Sequence, residues 1–255
     1  MLITIIIIIL SIYLPPKIII STLKWLFPYI VFTGKVSRNH KSNNDNQNND
    51  NQNIIAITMD DIPYRTDYTG FTDMKRLKQL FDILDNYDIK ITLFMMGSTK
   101  TVTDMEKGQF VRAIKSGHLL ANHGVHDICH AKLNDHHIEQ EILKCDELIN
   151  DLYRATHKPK SNINFYRPGC GWVTPSIINI CSNLNKIIVL GNIYPHDPFV
   201  IIPYINYLYI RFKLEHNAII IIHDRPWTLK MLEYLLPYLK RNNYKMVTLD
   251  NMNIN

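Results

Sequence analysis

Cysteine is scarce in this sequence, and its few cysteines lie far apart along the 255 residues. They form no C-x-x-C pair and none of the dense patterns that staple small secreted domains with disulfides. The cysteine content therefore excludes a disulfide-rich scaffold, and it leaves the redox compartment undecided. The positions are Cys129, Cys145, Cys170 and Cys181.

Charge of one sign is not concentrated anywhere in the chain. The formal net charge is +5, and the lysines and arginines are scattered, without the basic stripe or interleaved aromatic residues that grip nucleic acid. We therefore interpret the charge as a solvated surface and expect no nucleic-acid partner. The apolar fraction of 46% and the charged fraction of 20% are ordinary for a globular protein, which excludes global disorder.

The N-terminus is apolar but lacks an uninterrupted run long enough for a membrane-spanning helix. Residues 2–14 are almost purely apolar, whereas such a helix needs about 20 residues. A Pro-Pro-Lys sequence at 15–17 separates this run from a second one at 18–32. The basic n-region and small-residue cleavage site of a signal peptide are not evident. For residues 1–36 we expect first a membrane-associated segment acting through residues 2–32, second an uncleaved arm packed on the domain, and third a signal peptide. The expected location is accordingly a membrane or the secretory pathway.

Residues 37–53 contain almost no apolar side chain, so this stretch cannot offset the entropy cost of its own ordering. We predict that it is a flexible linker. From residue 54 onward, short β-branched or apolar runs alternate with longer amphipathic stretches at helical spacing. We expect one catalytic domain over residues 54–252, because α/β barrels routinely fill this length as one unit.

The alternation predicts seven strands and six helices. The strands are expected at 54–59, 91–96, 119–122, 164–167, 186–190, 218–222 and 245–249. The helices are expected at 73–87, 103–116, 135–155, 175–183, 203–214 and 226–241. Such alternation implies parallel strands with right-handed crossovers, for which a βα barrel, complete or not, is the economical closure. In these barrels the reactive side chains lie at the C-terminal ends of the strands.

Ionisable side chains follow the ends of five predicted strands, while the strands themselves carry almost none. The first strand ends in Asp60-Asp61, whose adjacent carboxylates repel each other and so require a cation or separate roles. The third runs into NHGVHDICH at 122–130, where three imidazoles and one carboxylate suit Zn²⁺ or a similar ion. The other three are followed by YRPG at 166–169, YPHDP at 194–198 and IHDRP at 222–226.

Five ordered motifs resemble those of polysaccharide deacetylases that share the NodB homology domain, a family of the carbohydrate esterase 4 type. They are TMDDIP, ITLFMMG, the histidine-rich cluster, YRPGCG and IIIIHD. LGNIYPHDP and IIIIHDRPWT look closer still to a branch seen in fungal and other eukaryotic members. The resemblance implies an α/β fold, a distorted (β/α)7 barrel, with a single catalytic domain and a hydrophobic N-terminal arm. It also implies a metal-dependent hydrolase that removes N-linked acyl groups, above all acetyl, from amino sugars of a polysaccharide or oligosaccharide.

The first and fourth motifs would divide the work of activating water. By this resemblance Asp60 is expected to be the general base and Asp61 a metal ligand. Arg167 would pair with Asp60 and hold its orientation, a task suited to a planar guanidinium that stays charged.

The last motifs would supply the proton for the departing amine. His223 titrates near neutrality and would protonate the leaving nitrogen as general acid. Either Asp197 or Asp224 would hold its imidazole in the useful tautomer. For Asp224, an ion pair with Arg225 at a helix start is nearly as plausible as a catalytic role.

The metal motif departs from the family pattern, in which two histidines usually stand four residues apart. His123 follows the strand in the expected Asn-His context, but Asp127 stands four residues later, and His126 and His130 also have that spacing. We expect Asp61, His123 and Asp127 to bind a divalent ion, zinc first, with His130 in place of Asp127 as the main alternative. His126 is interpreted as a surface residue.

Two other functions remain open. The same chemistry could act on a lipid-linked amino sugar or another non-peptide C–N bond, and the irregular metal motif permits a carbohydrate-binding protein with impaired catalysis. Tyr166, Trp172 and Trp227 offer flat faces that could stack against a sugar ring. Cys129 and Cys170 are interpreted as small packed side chains rather than as ligands or nucleophiles.

Overall fold

The computed structural model describes residues 17–34, 53–65, 72–97 and 103–254. The apolar run at 2–14 and nearly all of the predicted linker lie outside the described residues. In chain order the elements are α1 (Lys17–Leu26), β1 (Ile30–Val31), β2 (Ile54–Ile62), α2 (Met74–Asn86), β3 (Thr92–Met95), α3 (Asp104–Ser116), β4 (Leu119–Asn122), α4 (Asp135–Thr156), β5 (Asn164–Tyr166), α5 (Pro175–Asn183), β6 (Lys186–Val189), α6 (Pro203–Lys213), β7 (Ala218–His223), α7 (Thr228–Arg241) and β8 (Lys245–Val247). Short 3₁₀ turns occur at His130–Lys132, Gly169–Gly171 and Leu249–Asn251.

The predicted α/β fold is confirmed, and each predicted strand and helix has a counterpart. The largest difference is the extension of β2 to Ile62, three residues beyond its expected end. Helix starts follow local chemistry: Thr103 forms a capping box with Glu106 at the start of α3, and the Asn134 side chain accepts from the His137 N–H at the start of α4. Proline occupies the first position of α5 and α6, where its missing N–H is harmless.

The strands form one sheet in which every strand pair is parallel, in the order β1-β6-β5-β4-β3-β2-β7, with β8 also pairing with β2. The register aligns the strand ends that carry ionisable groups. Asp60 is opposite His223, and Asn122 is opposite Tyr166. The residues that follow this second pair, His123 and Arg167, therefore emerge side by side at the C-terminal rim.

Residues 30–34, which were predicted to lie outside the domain, close the gap between β6 and β7. Ile30 pairs with Ile188 of β6, and Thr33 forms a bridge with Ala218 of β7. Ile30 and Phe32 are buried. Residues 30–34 thus belong to the barrel wall, although they were predicted as part of an N-terminal segment whose first interpretation was a membrane anchor. Within the described part of the chain, no helix has both the length and the apolar character needed to cross a bilayer.

The barrel interior is apolar below the rim. A cluster of buried side chains that includes Ala56, Phe94, Phe165 and Ile219 fills it from the bottom. Side chains two apart along a strand share a face, so Thr58 and Asp60 continue upward from Ala56 on β2. A larger cluster between the sheet and the helices provides most of the core.

Candidate active site

A buried ion pair joins two of the strand ends. The Arg167 guanidinium, only 2% exposed, pairs through Nη1 with the Asp60 carboxylate, which is 3% exposed. The same Nη1 donates to Thr58 Oγ1 at 2.9 Å, and Nε donates to the Val189 carbonyl at 2.9 Å. The guanidinium lies over the Phe94 ring at 4.0 Å. These contacts fix the Asp60 carboxylate at the rim, with its second oxygen facing outward from the pair.

Asp61 lies beside Asp60 but does not point to the opposite face, as a regular strand would require. Its backbone adopts φ 58°, and the register with β3 shifts between Met59 and Ile62. Both carboxylates therefore reach one imidazole: His123 Nε2 lies 3.2 Å from Asp61 Oδ1 and 3.9 Å from Asp60 Oδ2. An irregular backbone at the strand end thus converts two sequence neighbours into a convergent pair.

The His123 ring is oriented from behind, because its Nδ1 lies 2.7 Å from the Arg167 carbonyl oxygen and donates to it. This leaves Nε2 to face the carboxylates. Burial lowers the pKa of His123, but Asp60 and Asp61 outweigh burial and raise that pKa to about 9. Burial raises the pKa of Asp61, yet the nearby cations His123, His223 and Arg225 bring it well below its usual range.

His223 completes the rim on the other side of Asp60. Its Nδ1 lies 2.9 Å from Asp197 Oδ1, and its backbone N–H donates to Asp197 Oδ2 at 2.6 Å. Its Nε2 lies 4.0 Å from Asp60 Oδ2. Burial lowers the pKa of His223, but the hydrogen bond and charge of Asp197 outweigh it, so that the pKa is raised. Of the two acids considered for holding this imidazole, the structure selects Asp197.

Asp224 instead supports the loop after β2. It forms a buried ion pair with Arg76 and accepts a hydrogen bond from the Tyr64 N–H at 2.7 Å. The suggested side-chain ion pair between Asp224 and Arg225 does not form: Arg225 Nη1 donates to the Asp224 backbone carbonyl, and Nη2 donates to Asp61 Oδ2 at 2.6 Å. The reason is geometric, because both oxygens of the Asp224 carboxylate already bind Arg76 and the Tyr64 N–H.

His130, the alternative metal ligand, is placed in a different network. It is fully buried, and its Nδ1 lies 2.7 Å from the Tyr166 hydroxyl and accepts from the Gly169 N–H at 3.0 Å. Its Nε2 lies 3.7 Å from Glu141 Oε2. Burial lowers the pKa of His130 to about 4, so the ring is neutral. The structure therefore does not bring His130 to Asp61 and His123.

Glu141 organises the loop that carries Asp127. It accepts from the backbone N–H groups of Val125 and His126 at 2.7 and 2.8 Å, and its Oε1 lies 2.6 Å from His126 Nδ1. Asp127 itself is exposed at the rim. Partial desolvation of its carboxylate and the charge of Asp61 nevertheless raise the pKa of Asp127.

Comparison with known proteins identifies the family. The model of the family described as polysaccharide deacetylase matches residues 47–186, more than half of the chain. The chain belongs to the polysaccharide deacetylase family. The predicted class of enzyme, a hydrolase of carbon–nitrogen bonds other than peptide bonds, is confirmed at the level of this family.

Individual relatives agree with this assignment. The chain is 24% identical over 207 residues to a peptidoglycan-N-acetylglucosamine deacetylase of Bacillus cereus, covering 78% of this chain and 87% of the relative. A solved peptidoglycan N-acetylglucosamine deacetylase in complex with an N-oxidanyl-benzamide is similar in fold, with TM-score 0.69, 20% identity, and coverage of 90% of this chain and 95% of that one. A pseudoenzyme of the carbohydrate esterase 4 family from Bacillus anthracis has TM-score 0.63 and 16% identity, with coverage of 79% and 66%. The curated relative is bacterial, and the expected affinity to a fungal-like branch is not supported.

The residues of this deacetylase-family site fit a divalent cation in part. Asp61 Oδ1 and His123 Nε2 converge, and the His123 ring is held by a carbonyl on its other nitrogen, as the rings of metal-binding histidines usually are. Asp127 is the additional carboxylate whose charge acts on the site. Across residues 17–34, 53–65, 72–97 and 103–254, however, no three His, Cys, Asp or Glu side chains already stand as a complete ligand cluster.

Two functional neighbours, Arg76 and Glu141, were not predicted from the sequence, and Arg225 was expected with a different partner. Arg76, Glu141 and Arg225 each bind a rim carboxylate or loop through partners 15 to 164 positions away, for which no local motif exists. Tyr166, expected as a sugar-stacking face, is fully buried. Trp172 is 70% exposed, whereas Trp227 donates its indole N–H to the Asp197 carbonyl at 2.9 Å.

Proposed function

We propose that this protein is a metal-dependent deacetylase that removes the N-acetyl group from N-acetylglucosamine units of a polysaccharide or oligosaccharide. The observation that carries the proposal is the convergence of three pairs at one barrel rim: Asp60 with Arg167, Asp61 with His123, and Asp197 with His223. The family membership and the deacetylase relatives support this choice of substrate class.

Asp60 is the proposed general base. Arg167 holds one carboxylate oxygen, so the other is available to take a proton from water. Asp61 and His123 would hold a divalent ion, zinc first, with Asp127 as the proposed third ligand. When bound, such an ion activates water and polarises the acyl carbonyl.

His223 is the proposed general acid. Its Nε2 faces the same space as the free oxygen of Asp60, at 4.0 Å, so that base and acid flank one reacting group. Asp197 holds Nδ1 and raises the pKa of His223, which favours the protonated ring. The proton on Nε2 is then available for the departing amine.

Two substitutions of neighbouring carboxylates test the proposal. We expect Asp60→Asn to keep bound zinc and lose acetate release from N-acetylglucosamine oligomers, and Asp61→Asn to lose both. Asp88→Asn is the matched control, because Asp88 is exposed and has a left-handed backbone that asparagine tolerates. Chelation of the wild-type protein should abolish acetate release. Wild-type zinc content together with full turnover in the Asp61→Asn protein would refute the assignment.

A lipid-linked amino sugar is the second candidate substrate, with membrane association through residues 2–32 as part of the proposal. It is favoured by the exposed aromatic side chains at the end of α1 and just after it, where Trp25 is 80% and Tyr29 is 73% exposed. Comparing acetate release from soluble oligomers and from glycolipid in vesicles discriminates the two substrates. Stoichiometric zinc and sugar binding without turnover would instead favour the impaired binding protein that the unusual Asp127 permits.

A further inference from the structure

Two cysteines lie on neighbouring loops at the rim, and their loops are held tightly together. Cys129 directly precedes the 3₁₀ turn His130–Lys132, and Cys170 lies within the turn Gly169–Gly171. The residues before them are in backbone contact, because a Cβ atom at Gly169 would overlap the Ile128 carbonyl oxygen. The Gly169 N–H also donates to His130 Nδ1 at 3.0 Å. Because Ile128 and Gly169 each directly precede one of the cysteines, this packing makes the Cys129 and Cys170 side chains neighbours.

Cys170 has a backbone conformation that is unfavourable for a residue with a side chain, although that side chain is exposed. Its backbone has φ 62°, in the left-handed region that glycine adopts without strain, yet the residue is exposed. Cys129 is half-buried. Burial and the neighbouring Cys129 raise the pKa of Cys170. Solvent access and mutual proximity, not a low thiol pKa, therefore distinguish this pair.

The other two cysteines behave differently. Cys145 and Cys181 are buried, and burial raises the pKa of each thiol to about 12. At neutral pH they carry almost no thiolate and have no access to a dissolved oxidant. The rim pair is thus the only part of the cysteine set in the described residues that combines mutual contact with solvent access.

We propose that Cys129 and Cys170 form a reversible disulfide that ties the loop carrying Asp127 to the loop that follows Arg167. With a small disulfide such as oxidised glutathione, one thiolate attacks the glutathione disulfide and releases one glutathione thiol. The second cysteine thiolate then attacks the mixed disulfide and releases the other. The two cysteines are oxidised, the glutathione disulfide is reduced to two thiols, and the two cysteine protons end on the two glutathione sulfurs.

The test uses the full chain, purified with all thiols reduced and then incubated with oxidised glutathione. Peptide mapping without reductant is expected to find one Cys129–Cys170 cross-linked peptide, and the intact protein should lose two hydrogen atoms in mass. The oxidised protein should melt roughly 5–10 °C higher, because the cross-link closes a loop in the unfolded chain. Dithiothreitol should reverse both changes.

Single variants provide the controls. Cys170→Ser and Cys129→Ser should each lose the cross-link and instead carry glutathione on the remaining rim cysteine. Cys181→Ala, which changes a buried thiol, should retain the cross-link. A wild-type map in which Cys129 and Cys170 each carry glutathione, or remain reduced after oxidation at alkaline pH, would overturn the proposal whether or not the protein is a deacetylase.

Discussion

Replacing Arg167 with methionine removes one half of the ion pair on which the rim is built. The methionine keeps most of the side-chain length and loses the charge. Asp60, buried at 3% exposure, is then left without its guanidinium. Two hydrogen bonds, to Thr58 Oγ1 and to the Val189 carbonyl, are lost as well.

These contacts set bounds on the expected loss in the free energy of unfolding of the Arg167→Met protein. Removing one partner of a buried ion pair typically costs about 3–5 kcal/mol, because the other charge stays buried and uncompensated. Two imidazoles remain near Asp60, with His123 Nε2 at 3.9 Å and His223 Nε2 at 4.0 Å, and they partly replace the lost cation. We therefore expect the lower end, about 3 kcal/mol, out of a total stability of about 5–15 kcal/mol.

Urea unfolding followed by circular dichroism measures this loss. With a slope of about 2–3 kcal/mol/M, the midpoint should fall by about 1 M in the Arg167→Met protein. Arg154→Met is the matched control, because Arg154 also pairs with an aspartate, Asp151, but at the surface with 74% exposure. Its expected cost is about 0–1 kcal/mol.

A double-mutant cycle with Asp60→Asn separates the ion pair from its surroundings. The Asp60→Asn and Arg167→Met double variant should be more stable than the sum of the single losses predicts, since no uncompensated charge remains buried. An unchanged urea midpoint in Arg167→Met, or single losses that simply add, would show that Asp60 and Arg167 are not a coupled buried ion pair.

Three further changes test other parts of the molecule. Asp197→Asn removes the charge that raises the pKa of His223, so the fall in acetate release at alkaline pH should move to lower pH; an unchanged pH profile would contradict this role. Burial lowers the pKa of His118 from its ordinary 6.5 to about 4. As the pH falls below 6.5, the unfolded chain therefore takes up a proton at His118 before the folded chain does. About 3 kcal/mol of the free energy of unfolding should be lost between pH 6.5 and pH 4. His118→Gln should show a smaller loss in urea titrations over the same interval, and an equal loss would contradict the assignment. Gly169→Ala places a methyl group against a facing backbone carbonyl and should cost about 1–3 kcal/mol, whereas Gly108→Ala, with open space around it, should not lower the urea midpoint.

The fold was predictable because its signals are periodic and local. A parallel strand buried on both faces has a nearly continuous run of apolar residues in its sequence, and β2 has that pattern until Asp60. Parallel topology then places every strand end at one rim, so a list of ionisable residues after apolar runs already contained Asp60, Asp61 and His123. The packing of residues 30–34 in the barrel wall was anticipated only as the second interpretation, an arm packed on the domain, because apolar side chains are equally compatible with a membrane and with a protein core.

What the sequence alone determined is which residues stand at the rim; which of them touch was decided only by tertiary structure. Asp197 and Asp224 are equally close to histidine in their motifs, and the difference arises because Arg76 on α2 occupies Asp224. His130 has the ligand spacing, yet the fold packs it against Tyr166. The physical reason is that a side chain's partner depends on strand register and backbone twist between segments that are distant along the chain, whereas the sequence pattern encodes only the face and the end of the element on which it lies.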